Sequence, residues 1–289
     1  MTDGGSRFHV VLAVVAALTA PATVHSQALT RAQVQQRSQD VDHLFNWYYA
    51  SVYGTGAYKI GEEQVAALRL PFSHTFRKAT DEQWGLKLTL PVTAAFAEFD
   101  LRDFDLGSVS TSGMSIVPGI EIEIAMNPTW TVRPFANAGW GREFQRDSSA
   151  LIYAAGVTSV WRNPFVEDKM LAALGAKFVY AGYQSGREES QLAALAVGGD
   201  LGIPLPLEFS GRQAILGTQL IGTAYFNDLE FLMPKSGAKT VSQEIELALT
   251  LGLHRPIEVL GVSIDRVGLG YRWGTNGLRG VRLVGSFPF

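Results

Sequence analysis

Ile245-Glu-Leu-Ala-Leu-Thr-Leu-Gly-Leu-His254 sets five aliphatic side chains at every second position, with Glu246, Ala248, Thr250, Gly252 and His254 between them. Successive side chains of a strand point to opposite faces, so this run has one apolar face and one polar or small one. Trp84-Gly-Leu-Lys-Leu-Thr-Leu-Pro-Val-Thr93 repeats the pattern, with Trp84, Leu86, Leu88, Leu90 and Val92 opposite Lys87, Thr89 and Thr93. So does Ile116-Val-Pro-Gly-Ile-Glu-Ile-Glu-Ile-Ala-Met126, where Ile120, Ile122, Ile124 and Met126 oppose Glu121 and Glu123.

A soluble sandwich also alternates, but three features separate this chain from one. Several runs exceed the usual strand length of about five or six residues and match the roughly nine to eleven of a tilted membrane strand. The apolar face often ends in an aromatic, among them Phe72, Phe96, Trp130, Trp140, Trp161, Tyr180, Tyr271 and Trp273, as at membrane interfaces. The other face carries charge in mid-strand: Arg69, Lys87, Glu121, Glu123, Arg133, Lys177, Asp200, Glu246 and Arg272. In a sandwich core these would be costly; facing a polar lumen they are ordinary.

Eleven runs stand out, near 65–76, 84–100, 113–126, 130–144, 150–161, 170–183, 191–203, 213–226, 241–254, 262–273 and 279–289. Bacterial single-chain barrels have an even strand number, so Ala50–Ile60, turning at Gly61-Glu62-Glu63, is expected as the twelfth. The predicted fold is all-β: a closed antiparallel transmembrane barrel of about twelve strands over 54–289, with ten as the alternative. Counting back from a periplasmic end at Phe289 puts 101–112, 145–149, 184–190, 227–240 and Thr275-Asn-Gly277 outside. Asn276-Gly277 suits a tight primed turn.

Ahead of the barrel, Arg7 and His9 precede the apolar run Val10–Leu18, and small residues follow at Val24-His-Ser26 and Ser26-Gln-Ala28. That is the layout of a cleaved signal peptide over 1–28, and the run is shorter than the ~20 residues of a spanning helix. Residues 29–53 read as a short α-helix, with Val34, Val41, Leu44, Phe45, Tyr48, Tyr49 and Val52 near a 3.6 period. It is expected either in the lumen or at the barrel mouth.

The 289 residues carry 24 Lys+Arg against 27 Asp+Glu and no cysteine, which excludes disulfides and thiolate metal sites and leaves no basic surface for nucleic acid. The His residues after the signal, His43, His74 and His254, fall in no metal spacing, and no nucleophile elbow exists. No catalytic, cofactor-binding or metal constellation is read, no cofactor is implied, and an enzyme is not expected.

The closing run Gly280-Val-Arg-Leu-Val-Gly-Ser-Phe-Pro-Phe289 puts Val281, Leu283, Phe287 and Phe289 on one face, expected to be the lipid face. A terminal aromatic on such a strand resembles the signal read by outer-membrane assembly machinery, which makes Phe287 and Phe289 the candidate assembly residues. Signal peptide, helix, strand number and the ending Gly268-Leu-Gly-Tyr-Arg-Trp-Gly274…Leu283-Val-Gly-Ser-Phe-Pro-Phe289 together resemble the solitary outer-membrane autotransporter-like β-barrel family. The resemblance implies an outer-membrane, translocator-like barrel without a passenger, since 29–53 is too short for a secreted domain. It implies no catalytic residues. Its expected partners are outer-membrane lipid and, during biogenesis, periplasmic chaperones and the barrel-assembly machinery. Two roles stay open: a narrow or plugged channel, or a structural barrel that anchors surface loops for partners.

Overall fold

The computed structural model describes residues 54–289 apart from 61–62, 98–110, 145–146, 166–169, 187, 210, 234–236 and 260–261. The expected signal peptide, the expected helix and most of the 101–112 loop lie outside the described residues. The described strands are β1 (Gly56–Ile60), β2 (Glu63–Arg77), β3 (Gly85–Ala97), β4 (Thr111–Ile116), β5 (Gly119–Ala125), β6 (Trp130–Glu143), β7 (Ser148–Phe165), β8 (Met170–Ser185), β9 (Glu188–Phe209), β10 (Arg212–Met233), β11 (Gly237–Val259), β12 (Val262–Gly274) and β13 (Arg279–Val284).

Neighbours in sequence pair antiparallel around a ring, and β1 closes it on β13 from Gly56↔Arg282 to Lys59↔Arg279. β4 and β5 occupy one strand position. Val92↔Ile116 and Thr89↔Gly119 keep one register along β3, and Ile116↔Trp140 and Gly119↔Asn137 keep one along β6. The break falls at Pro118, which has no N–H to give the ladder. Its flanks stay tied, because Val117 N–H donates to Pro91 O (3.2 Å) and Ala138 N–H to Pro118 O (2.9 Å). The ring therefore has twelve strand positions, as expected, and β1 supplies the twelfth.

Ordered this way, the chain has two rims. The outer rim holds Ile60, Ala97, Glu143, Ser185 and the Thr275–Gly277 turn, where Asn276 (φ 55°) and Gly277 (φ 81°) take the left-handed backbone that Asn-Gly favours. The inner rim holds Arg77, Ala125, Phe165, Phe209 and Val284.

Two expectations about strand ends are corrected. The 227–240 segment is not a loop: β10 and β11 continue pairing from Leu229↔Val241 to Met233↔Gly237, beyond a bulge after Ala224. The bulge changes the buried parity on β11 from even (Glu244, Glu246, Ala248, Thr250) to odd (Val241), so a continuous alternation does not carry through it. The closing strand stops at Val284 rather than reaching Phe289.

Candidate functional site

The outside of the barrel is apolar and banded. Near the inner rim, Phe76, Trp84, Trp130 and Phe209 stand exposed; toward the outer rim, Trp140, Phe144, Phe226, Tyr271 and Trp273 do. Between them lie exposed aliphatics, including Ile116, Ile120, Leu174, Val197, Leu220, Leu249 and Leu269. Several aromatics anchor polar partners on this face: the Arg77 guanidinium lies 3.5 Å above the Trp84 ring, and Trp130 Nε1–H donates to Ser159 Oγ at 2.9 Å. Trp130 and Trp140 mark the two bands on one strand. Ten residues at about 3.4 Å each, tilted by about 40°, separate them by roughly 25 Å along the axis, the height of a membrane barrel's apolar belt.

The inner face is polar and cross-linked. Glu244 and Glu246 of β11, Arg272 of β12 and Arg282 of β13 form one network: Arg272 Nη1 to Glu244 (3.1 Å), Arg272 Nη2 to Glu246 (2.9 Å) and Arg282 Nη1 to Glu246 (2.7 Å). Glu244, Glu246 and Arg272 are 5%, 3% and 6% exposed, so each charge depends on the others for its solvation. Tyr58 on β1 presents its ring 5.9 Å from the Arg272 guanidinium.

A second bridge spans a wider arc. Arg266 on β12 makes a forked pair with Asp200 on β9, 2.9 Å and 2.8 Å long, passing over β10 and β11. Glycines clear its path: a Cβ at Gly217 would meet Arg266 Nη1 at 2.6 Å, and one at Gly252 would meet its Cγ at 2.3 Å. Gly217→Val is therefore expected to lower stability by about 1–3 kcal/mol through overpacking. Urea unfolding of the refolded barrel checks this, with Gly222→Val, where none of the described residues lies within 4 Å, as the neutral control.

A third cluster lies on the opposite wall. Glu121 sits 3.8 Å from both Lys87 Nζ and Arg133 Nη1, and the Lys177 ammonium lies 4.9 Å from the centre of the Phe135 ring.

Residues 285–289 leave the wall and enter the lumen. Gln219 Nε2 donates to Gly285 O at 3.3 Å, and Ser286 Oγ donates to Asp265 Oδ1. Phe287 and Phe289 are 8% and 4% exposed and pack with Val160, Ala173 and Ile221 of β7, β8 and β10. The Phe289 ring fills the space above two glycines: a Cβ at Gly175 would lie 2.3 Å from its Cγ, and one at Gly198 would lie 3.1 Å from its Cε2. This corrects the expected lipid-facing placement of Phe287 and Phe289. Val281 and Leu283 do face outward, at 42% and 52% exposed, but Pro288 cannot extend the ladder and the chain turns inward from Gly285.

Strand parity puts all nine expected inward residues on the inner face: Arg69, Lys87, Glu121, Glu123, Arg133, Lys177, Asp200, Glu246 and Arg272. The structure brings Glu246 together with Arg272, and Lys87 and Arg133 with Glu121. Asp200 pairs with a residue not singled out from sequence, Arg266. Arg282 was also missed as a member of the network, which Glu244 joins from the same inward phase that the alternation gives Glu246. Parity was the available signal, since Arg266 and Arg282 share it with Arg272 and with Gly280 respectively.

A closed sheet with an apolar, aromatic-banded exterior and an ion-paired interior defines a transmembrane β-barrel of the outer-membrane type. No family model and no curated protein matches the chain. Among solved structures, it is similar to the beta domain of the Bordetella autotransporter BrkA, with TM-score 0.47 and 12% identity over 80% of this chain and 91% of that one. It is also similar to the siderophore receptor PirA from Pseudomonas aeruginosa, with TM-score 0.36 and 11% identity over 81% of this chain and 40% of that one. Neither likeness transfers a role.

Proposed function

We propose that the protein is an exported, integral outer-membrane barrel, inserted with its inner rim toward the periplasm, whose lumen is plugged by its own residues. In this reading it is translocator-like in architecture and does not conduct at rest. The observation that carries the proposal is the closing segment, which lays the Phe289 ring onto Gly175 and Gly198 and packs Phe287 beside it with Val160, Ala173 and Ile221. A second apolar layer supports it nearer the outer rim, where Tyr58, Ile60, Leu192, Tyr225, Leu229, Val241 and Leu278 pack together. Outer-membrane lipid covers the belt. Chaperones and the assembly machinery meet Phe287 and Phe289 before closure, because the finished barrel holds both rings inside.

A surface-anchoring role is favoured by one observation: β10 and β11 continue pairing to Met233↔Gly237, past the bulge that follows Ala224. The resting barrel is closed in this reading too. In planar bilayers the wild type is expected to show no steady conductance, and Phe287→Ala/Phe289→Ala is expected to show intermittent openings if the plug seals a pathway. Silence in both favours the anchoring role; steady wild-type channels contradict the plug.

The belt has its own test. Leu249→Arg is expected to cost about 2–4 kcal/mol in lipid vesicles, as a charge at mid-depth on a lipid-facing strand does. Lys59→Arg, at the rim, is expected to cost nothing measurable by the same urea titration.

A further inference from the structure

Charge is unevenly spread inside the barrel. On the β9–β13 side, Arg266 has Asp200, and Arg272 and Arg282 have Glu244 and Glu246. On the other side, Lys87, Arg133 and Lys177 lie around Glu121, Arg69 neighbours Lys177, and Arg162 and Glu123 neighbour each other, so cations outnumber carboxylates among the described residues. The two contacts of Glu121, at 3.8 Å, are ion pairs without hydrogen bonds. Among the described residues, Arg133 Nε and Nη2 are buried without a hydrogen-bond partner. Arg133 pairs across the ladder with Thr158, and Thr158 with Lys177, so one rung carries both cations. Lys177 has Arg69, Arg133 and Glu121 as its charged neighbours and rests on Phe135. Near the inner rim the cluster meets solvent: the Lys87 side chain is 36% exposed, its cross-strand partner Thr75 is exposed, and so is Arg162 on the same inner face.

Like charges held together away from water repel strongly. A compact oxyanion neutralises them and offers its lone pairs to the guanidinium fork and the ammonium. We infer that this basic vestibule, open at the inner rim and built from Lys87, Arg133 and Lys177 beside Glu121, binds a phosphate-class oxyanion. The cluster faces the lumen, which separates it from lipid phosphates outside the belt. A soluble phosphate entering from the rim is the occupant.

The test uses the full chain refolded in detergent, with closure checked by its unheated gel mobility. Inorganic phosphate is titrated against sodium chloride at matched ionic strength, and thermal unfolding is followed, since a ligand of the folded state alone raises the midpoint with the logarithm of its concentration above Kd. Wild type is expected to gain stability from phosphate beyond the chloride control. Lys177→Met is expected to be more stable than wild type without phosphate and to bind it about tenfold more weakly, a loss typical of one charged contact. Glu121→Gln is expected to bind more tightly. If Lys177→Met does not close, Lys87→Met at the exposed rim takes its place, with a weakened response expected. A wild type indifferent to phosphate, or a closed Lys177→Met or Lys87→Met that keeps the full response, would overturn the inference.

Discussion

Arg272→Met is expected to lower the unfolding free energy of the refolded barrel by about 3–5 kcal/mol, the cost of removing one partner from a buried ion network. Glu244 loses its ion pair with Arg272 and Glu246 keeps its pair with Arg282, while both carboxylates stay buried. Removing one of those stranded charges should recover part of the loss, so Arg272→Met/Glu244→Gln is expected to be more stable than the single variant. Urea titration in lipid vesicles measures both. A loss below about 1 kcal/mol would mean that the pair is solvated, as surface pairs are, and that the lumen is open water at this level.

Phe289→Ala is the second large effect, expected at about 3–5 kcal/mol, because a buried ring leaves a cavity among Val160, Ala173 and Ile221. A lipid-facing Phe289 would also matter for assembly, so the discriminating partner is Gly175→Leu. Gly175 touches Phe289 only if the closing segment lies inside. Gly175→Leu is therefore expected to expel the ring and destabilise by a similar amount. The double variant should be little worse than either single one, as coupled sites behave. Additive losses would separate the two residues and return Phe289 to the lipid face.

What the sequence made legible follows the period of two. Alternation in runs such as 84–93 and 245–254 located eleven strands and their inward charges, because lipid outside and polar filling inside demand opposite chemistry at adjacent positions; the twelfth came from the even strand number of bacterial barrels. Alternation was blind where the phase resets. The bulge beyond Ala224 hid the extension of β10 and β11, and the turn at Gly285 carried Phe287 and Phe289 inward although their parity matched Val281 and Leu283. Partners were also beyond its reach. Parity places Asp200 on the inner face, but that it meets Arg266 three strands away depends on Gly217 and Gly252 clearing the crossing, which is a fact of packing.

In a membrane barrel, lipid touches one face of each strand and not the other, and the chain's lack of cysteine permits a clean measurement of that contrast. Single cysteines at each position from 244 to 251, in barrels folded into vesicles, would carry a fluorophore quenched by brominated acyl chains. Quenching is expected at 245, 247, 249 and 251, with 244, 246, 248 and 250 spared wherever the labelled barrel still folds. Uniform quenching, or none at any position, would contradict a membrane barrel.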